Sequence, residues 1–495
     1  MAEQHMNYID GAWIAPKSGE YFEQRNPAKP SEITGLFPAS GEEDARAAID
    51  AAEKAFAGWR ATSVVRRAEI LRGALDLMRE RSREIARILT SENGKTLAES
   101  SAEINAAARE MDYQIAQGIR AIGETVPLER AGVFGYSVRE PLGVVSVISP
   151  WNFPFNVPGR KCVPALVTGN TCVFKPASLT PRTGIEFVKL FADAGLPPGV
   201  LNLVTGSGRK VGTPFITDSR IRAVSFTGST EVGIQIQEVA APRLVRTQLE
   251  LGGKNPAVVL EDADLEAAAK AIVTAAYACA GQWCTSTSRA IVVDEIHDRF
   301  LEMLTERARA IVVGDGADSA TGMGPVCGKE QFANILKAID RGKTSGARLV
   351  TGGNPTKAGG GTASAGDAES NGYFIEPTIF ADVDPAGDLG QEEIFGPVLS
   401  VIRARDFDDA LEIANGVRYG LCSSVFTNDL ERAHRFLERT DVGLTHVNMM
   451  TALKEPQLTF GGRKESGFGI PEAGATGIEF FTQHKVAYIN YGGGA

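Results

Sequence analysis

The sequence predicts an α/β protein with more than one domain, and three observations lead to that prediction. The chain has 495 residues, which suggests roughly three domains rather than one hydrophobic core. Residues 43–117 follow a helical pattern. Beyond them, short runs rich in Val and Ile alternate with segments long enough for one helix, which is typical of a parallel sheet covered on both faces.

The helical prediction depends on one apolar stripe. Ile70, Leu71, Ala74, Leu75 and Met78 recur at helical spacing, and Lys, Arg and Glu fill the positions between them. We expect a packed helix with one face in solvent.

The first series of predicted strands follows this stretch. Its members share a short apolar core and few charges: Val144–Ile148, Thr171–Phe174, Val200–Val204, Ala223–Phe226 and Pro256–Leu260. A helix is predicted over Thr183–Ala194, because Gly195 and Pro197 end it.

A second series indicates a second α/β domain. Its predicted strands are Ala290–Val293, Phe374–Ile379, Val398–Ile402, Ser423–Phe426 and Leu444–Asn448. Gly352–Gly372 is rich in Gly, Ala and Ser and predicts a surface loop. Lys485–Tyr491 is β-prone, like end strands that pair with a partner chain.

Composition excludes several classes of protein. A net charge of -10 argues against nonspecific binding to nucleic acid or anionic membranes. The first residues, Met1–Ile14, lack the basic and apolar regions of a signal peptide, and no apolar run is long enough to cross a bilayer. Six cysteines without a CxxC pair and five histidines argue against a zinc site and favour a reducing compartment. We therefore predict a cytoplasmic protein without a metal.

Cys284 is the candidate nucleophile. It lies in Gly281–Ser286, between a predicted helical run, Ala268–Ala280, and the strand that begins at Ala290. A cysteine alone is more often a buried apolar residue than a nucleophile, which is our interpretation of the other five. Cys284 therefore stands out only together with the motifs around it.

Two polar residues near predicted strand ends are further candidates. Glu250 precedes a Gly-Gly break and has apolar neighbours, which raise a carboxyl pKa and suit a general base, although an ordinary loop Glu has the same pattern. Asn152 follows the first buried strand, at the sheet edge where α/β proteins bind ligands, although a turn Asn between prolines would also fit.

Two glycine turns are candidate phosphate sites. Phe226–Gly233 reads as a strand, a turn and a helix start, where free backbone N–H groups suit a pyrophosphate. The turn Thr205–Gly208 follows the preceding strand, but its glycine spacing misses the dinucleotide fingerprint by one residue and is weak.

Taken together, these motifs resemble the aldehyde dehydrogenase superfamily, from about residue 8 to the C-terminus. The matching segments are Pro150–Pro154, Lys175–Ser178, Phe226–Gly233, Leu249–Pro256, Gly281–Cys284, Glu392–Pro397 and Phe460–Gly462.

The resemblance implies a domain plan. A Rossmann-like NAD(P)-binding domain would comprise residues 1–119 and 139–251, and an α/β catalytic domain residues 252–475. A small β extension, residues 120–138 and 476–495, would join subunits into a homodimer or homotetramer.

The resemblance also implies roles. Cys284 would attack an aldehyde, the Asn152 amide and the Cys284 N–H would stabilise the oxyanion, and Glu250 would activate water to hydrolyse the thioester after hydride transfer. Residues expected to bind the cofactor are Trp151, Lys175, Ser178, Arg209, Gly228, Ser229, Glu393 and Phe395.

Ser178 bears on the choice of cofactor. NAD-preferring relatives often carry Glu at this position, and a serine would not repel a 2′-phosphate. Arg209, on the following glycine turn, could pair with that phosphate. We expect NADP to be accepted; dual specificity with Arg209 in solvent is the alternative.

Arg160 bears on the substrate. Relatives that act on succinic semialdehyde carry Arg-Lys here, and the Arg binds the substrate carboxylate; Lys454 could replace their second Arg, since Ala278 occupies that position. A diffuse similarity to 2-oxoglutarate semialdehyde dehydrogenases points the same way. A surface Arg paired with an acid is the competing interpretation.

Other functions remain open. Within the superfamily, a general aldehyde dehydrogenase without carboxylate preference and a coenzyme A-acylating enzyme compete with the semialdehyde prediction, although acylating relatives generally lack the base at Glu250. A non-catalytic binding protein and a cysteine esterase are alternatives from other classes.

Overall fold

A computed structural model describes residues 2–121, 123–361 and 363–492 of the chain. The parts of the predicted segments that fall on residues 1, 122, 362 and 493–495 lie outside the described residues.

The α-helices are numbered α1 to α15 in chain order. Their bounds are Glu42–Ala61, Val64–Asn93, Leu97–Ile119, Asn156–Val167, Pro181–Asp193, Thr213–Thr217, Thr230–Ala240, Leu265–Tyr277, His297–Arg309, Lys329–Thr344, Ala368–Asn371, Asp388–Gln391, Phe407–Asn415, Leu430–Arg439 and Thr476–Phe480. Gly208–Gly212 forms a π turn, and 3-10 turns cover Ala241–Arg243, Ala278–Gly281, Asp294–Ile296 and Ala365–Asp367.

The strands are numbered β1 to β23 in the same way. Their bounds are Asn7–Ile9, Ala12–Ile14, Tyr21–Asn26, Lys29–Pro38, Val133–Pro141, Val144–Ile148, Thr171–Lys175, Leu201–Leu203, Ile221–Thr227, Arg246–Glu250, Asn255–Val259, Thr287–Val293, Arg348–Thr351, Thr378–Ala381, Val398–Ala404, Tyr419–Gly420, Cys422–Phe426, Leu444–Val447, Thr459–Phe460, Arg463–Lys464, Gly467–Phe468, Glu472–Ala473 and Thr482–Asn490.

Two large sheets confirm the predicted α/β class. The first has the order β2-β1-β8-β7-β6-β9-β10-β21, and its centre from β8 to β10 is parallel. The second has the order β13-β14-β15-β12-β11-β17-β18 and is parallel except at β13. The run Pro256–Leu260, which we predicted as the last member of the first series, instead corresponds to β11 in the second sheet, so that assignment is wrong.

Strand β6 shows why the first sheet is buried on both faces. Val145 and Val147 pack into the cluster formed with α2 to α5, whereas Val144 and Ile148 pack into the cluster on the opposite face. Alternating side chains of a strand point to opposite faces, so an unbroken apolar run is what such a strand requires.

The helical N-terminal stretch divides into α1, α2 and α3. All five residues of the predicted stripe, from Ile70 to Met78, are buried in α2. Gly94 ends α2 with a φ of 95°, and Thr96 with Glu99 forms the capping box that begins α3. None of the helices in the described ranges combines the length and apolar character needed to cross a membrane.

Three strand and helix boundaries correct the sequence prediction. The predicted strand Phe374–Ile379 begins only at Thr378, because Pro377 has no N–H to donate to a ladder. The helix predicted to reach Ala280 ends at Tyr277. In the β extension, β5 pairs with β23 over its whole length, so the strand runs past residue 138 to Pro141.

Candidate active site

A strained turn places Cys284 at the boundary between the sheets. Three consecutive residues, Cys279, Ala280 and Gly281, have positive φ values of 54°, 55° and 69°. A side chain at Gly281 would lie 2.1 Å from the Gly396 carbonyl oxygen, so only glycine fits there. This reversal, which helical periodicity cannot reveal, turns the chain out of α8 toward Cys284.

Cys284 differs from the other five cysteines, as the sequence predicts. It is partly exposed, whereas the other five are buried. Its backbone is fixed by Asn255, whose Nδ2 donates to the Cys284 carbonyl oxygen at 2.7 Å. Burial raises the pKa of the thiol to about 12, and the nearby charge of Arg160 opposes that rise. The thiol must therefore lose its proton before the sulfur can act as a nucleophile.

Two cavities meet at Cys284. One, of about 330 Å³, lies between α3, α4 and the loop before β19; we call it the inner cavity. The other, of about 270 Å³, opens at the carboxyl ends of the first sheet; we call it the outer cleft. Residues that line both are Asn152, Thr227, Leu251 and Cys284. A ligand in either space therefore reaches the same sulfur.

Asn152 has a fixed amide next to this sulfur. Its Nδ2 donates to the Gln282 carbonyl oxygen at 3.0 Å, and its Oδ1 accepts from the Phe153 N–H at 3.1 Å. An amide nitrogen carries two hydrogens, so one donor is left for a ligand. The arrangement suits the predicted oxyanion role.

Glu250 ends strand β10 inside the inner cavity. It is buried, and its Oε2 has no hydrogen-bond partner among the described residues. Burial, reinforced by the charge of Glu472, raises its pKa well above the usual range, while Lys161 and Arg160 oppose the rise. A carboxyl with a raised pKa and a free oxygen suits a general base.

Sequence reasoning missed the buried charges behind Glu250. Glu472 forms ion pairs with Lys161 and with Arg160, whose Nη1 lies 3.3 Å from Glu472 Oε2. Lys161 Nζ also donates to Ser225 Oγ at 3.0 Å. The adjacent Arg160-Lys161 pair was a signal for Lys161, but no local pattern marks Glu472, which is 312 positions from Arg160.

Arg160 and Lys454, the two predicted substrate-binding residues, both line the inner cavity, but each is paired with an acid. Arg160 is buried in α4 rather than at the surface, so the surface-pair interpretation is wrong in its location, although the pairing with an acid is real. Lys454 lies 3.2 Å from Glu110 Oε2, and burial lowers its pKa to about 8. Ala278 lines the same cavity.

The outer cleft contains most of the residues predicted to bind the cofactor: Trp151, Gly228, Ser229, Glu393 and Phe395. Ser229 caps α7 by accepting from the Val232 N–H, so the cleft faces a helix N-terminus. The rings of Trp151 and Phe395 meet edge to face at 5.4 Å.

Glu393 is held at the wall of the cleft. Its Oε1 accepts from the Gly253 N–H at 2.8 Å, and burial raises its pKa to about 7. A side chain at Gly252 would lie 2.4 Å from Glu393 Oε2, so the glycine keeps this carboxyl in place. These features fit a dinucleotide with its pyrophosphate at α7 and a ribose at Glu393.

The remaining predicted residues lie apart from the outer cleft. Lys175 ends β7, its Nζ donates to the Pro176 carbonyl oxygen at 2.9 Å, and burial lowers its pKa to about 8. Ser178 Oγ donates to the Gly206 carbonyl oxygen at 3.1 Å. This hydrogen bond connects the segment Lys175–Ser178 with the glycine turn Thr205–Gly208. Arg209 is exposed in the π turn and makes no ion pair within the part of the chain that is described.

Over residues 2–121, 123–361 and 363–492, no cluster of three or more His, Cys, Asp or Glu could hold a metal ion.

The chain is similar to known proteins of one family over nearly its whole length. The profile of the aldehyde dehydrogenase family matches residues 13–487. The chain is 41% identical over 485 residues to an alpha-ketoglutaric semialdehyde dehydrogenase of Bacillus subtilis (strain 168), with 98% of each chain covered. It is 37% identical over 481 residues to an NADP(+) succinate-semialdehyde dehydrogenase of Escherichia coli (strain K12), with 97% of each covered.

A solved structure of an aldehyde dehydrogenase has the same fold as this chain. The crystal structure of an NAD-dependent aldehyde dehydrogenase from Sinorhizobium meliloti is similar with a TM-score of 0.95 at 34% identity, covering 100% of this chain and 96% of that one.

Proposed function

The chain belongs to the aldehyde dehydrogenase family, and on that premise we propose that it oxidises aldehydes that carry a carboxylate to the corresponding acids. It is an oxidoreductase that acts on the aldehyde group with NAD or NADP. The observation that supports a carboxylate-bearing substrate is the placement of Arg160 and Lys454 in the cavity that contains Cys284. Similarity to dehydrogenases of two such semialdehydes supports the same substrate class.

The residues suggest an order of steps. The Cys284 thiol loses its proton to solvent and Sγ adds as thiolate to the aldehyde carbon, while the carbonyl oxygen becomes an anion beside the Asn152 amide. When bound, the oxidised nicotinamide supplies the acceptor for the hydride that leaves this carbon. Glu250 then takes a proton from water, the hydroxyl adds to the thioester carbon, and the acid leaves as the C–S bond breaks.

For the cofactor, we propose that NADP is accepted. Ser178 bears no charge, and the Gly206 turn to which it is bonded leads within three residues to the exposed Arg209. A phosphate in this region would meet a cation and no carboxylate at position 178.

For assembly, we propose a homodimer or homotetramer formed through the β5–β23 ribbon. Its residues Phe134, Val486 and Tyr488 are large, apolar and exposed, which is costly unless a second surface covers them.

Six free thiols are consistent with a reducing compartment, and we propose the cytoplasm.

The decisive experiment is a panel of aldehydes with and without a terminal carboxylate, each tested with NAD and NADP. We expect kcat/KM for succinic semialdehyde to exceed that for butanal, which has the same carbon count, by roughly tenfold or more. Preference for butanal would refute the substrate proposal. Coenzyme A should leave the rate unchanged, and dependence on it would refute the hydrolytic step.

A further inference from the structure

The side chain of Asn156 lies in the wall of the inner cavity and has no predicted role. Asn156 is the first residue of α4 and is 2% exposed. Its Oδ1 accepts from Arg160 Nη2 at 2.9 Å and from Lys454 Nζ at 3.4 Å. Arg and Lys side chains can only donate, so the oxygen must face them and the NH₂ group must face away.

The NH₂ group of Asn156 is therefore a donor without an acceptor. Its Nδ2 is buried, and no described residue accepts a hydrogen bond from it. The same holds, within the described ranges, for Nε of Arg160, one helical turn further along α4. A buried donor without a partner is unfavourable and is rare unless water or a ligand completes it.

The charges around these donors identify the kind of ligand. Glu472 pairs with Lys161 and Arg160, and Glu110 pairs with Lys454 through one oxygen, whereas Glu250 keeps an unpartnered Oε2. None of these carboxylates accepts a hydrogen bond from Asn156 Nδ2 or Arg160 Nε. Two donors on one helix face match the two oxygens of a carboxylate, and one of them belongs to a guanidinium, which hydrogen-bonds an anion more strongly than a neutral acceptor.

We propose that Asn156 donates a hydrogen bond to the carboxylate of the substrate and that this contact sets the preference for carboxylated aldehydes. This inference rests on the proposed function. Asn156 thus has two tasks: its oxygen orients Arg160 and Lys454, and its nitrogen binds the ligand. A site that hydrogen-bonds one substrate rejects analogues that lack the bonding group, because its buried donors then stay unsatisfied.

Two variants separate these tasks. Asn156→Asp keeps an oxygen toward Arg160 and Lys454 but loses the NH₂ donor. Asn156→Leu has a similar volume, adds no charge, and loses both the donor and the oxygen. The readout is the ratio of kcat/KM for succinic semialdehyde to that for butanal. Melting temperature and NAD⁺ affinity report whether each variant is folded, and Asn156→Ala replaces the leucine variant if that one does not fold.

We expect both variants to lower this ratio by roughly 10–100-fold, with butanal losing at most about threefold. Loss only in Asn156→Leu would mean that Asn156 merely orients Arg160, and loss only in Asn156→Asp would mean simple charge repulsion; either overturns the inference. A ratio within threefold of the native value in both variants also overturns it.

The same measurements distinguish this failure from failure of the proposed function. If the native enzyme shows no preference for succinic semialdehyde, the substrate proposal itself is wrong. If the native enzyme shows the preference and both variants retain it, only the role of Asn156 is wrong.

Discussion

The substrate side and the cofactor side of Cys284 differ in how the side chains assigned to them are partnered. In the inner cavity, Asn156 Nδ2, Arg160 Nε, Thr285 Oγ1 and Glu250 Oε2 have no partners among the residues described. Three side chains predicted to bind the cofactor are already bonded within the protein: Lys175 to Pro176, Ser178 to Gly206, and Glu393 to Gly253. In the outer cleft, Gln331 Oε1 and Thr227 Oγ1 have no partners among the described residues.

This difference bears on specificity. A substrate that enters the inner cavity can satisfy these unpartnered groups without breaking hydrogen bonds within the protein. Removing such a contact should therefore cost its whole contribution to substrate binding. At Lys175, Ser178 and Glu393 a cofactor must compete with internal partners, so single contacts with these side chains should contribute less to binding.

Cys284→Ala should produce the largest difference between its effect on catalysis and its effect on cofactor binding. Because the sulfur lines both, its loss should lower NAD(P)H formation by roughly 10⁴-fold or more, while cofactor affinity changes by less than about threefold. Steady-state rates and a binding titration measure the two quantities. Cys162→Ala, in the apolar core, is the control and should keep turnover; a matching loss there would discredit the assignment.

Glu250→Gln should affect the step after hydride transfer. We expect a burst of NAD(P)H followed by turnover about 10²–10³-fold slower, since a general base contributes about that much. Because burial raises the pKa of Glu250, native turnover should increase with pH as this carboxyl ionises, and the variant should lose that dependence. Normal turnover of the variant in rapid-mixing experiments would show that Glu250 is not the base.

Ser178→Glu should shift cofactor choice. A carboxylate there would repel a 2′-phosphate near the Gly206 turn, so the ratio of kcat/KM for NADP to that for NAD should fall about tenfold. Arg209→Ala should lower the same ratio by only about threefold, because this arginine is exposed. If neither variant changes the ratio, the adenosine end of the cofactor does not lie at these residues.

Glu393 should make cofactor affinity depend weakly on pH. Its pKa is raised to about 7 by burial, so the carboxyl is neutral below that pH and ionised above it. If the ionised form accepts from ribose hydroxyls, NAD⁺ should bind several-fold more tightly at pH 8 than at pH 6. Glu393→Gln should flatten the dependence in a fluorescence titration; a native enzyme with no dependence would argue against the contact.

Much of the fold was predictable because it depends on local patterns. Continuous apolar runs such as Val144–Ile148 predicted buried parallel strands, and glycine turns before helices predicted ligand-binding ends. Two element boundaries were predicted wrongly. Strand β14 begins later than its apolar run because Pro377 cannot donate to the ladder. Helix α8 ends early because Cys279 and Ala280 adopt positive φ values, although their residue types favour a helix.

Within the site, motifs identified Cys284, Glu250 and Asn152 as candidates, but not their surroundings. Glu472 and Asn156 were given no role because neither belongs to a distinctive short motif, and Lys161 was noted only as part of the Arg160-Lys161 pair. Their importance comes from partners far along the chain, such as Lys454, which lies 298 positions from Asn156.

By itself, the sequence determined the family, the α/β class and the residues that carry the candidate chemistry, since these depend on residue type, order and short-range periodicity. Only the tertiary structure decided that Arg160 is buried and paired with Glu472, and that the amide of Asn156 is left with a free donor. Burial and hydrogen-bond partnership depend on which distant segments pack together, and for these contacts the segments lie hundreds of residues apart.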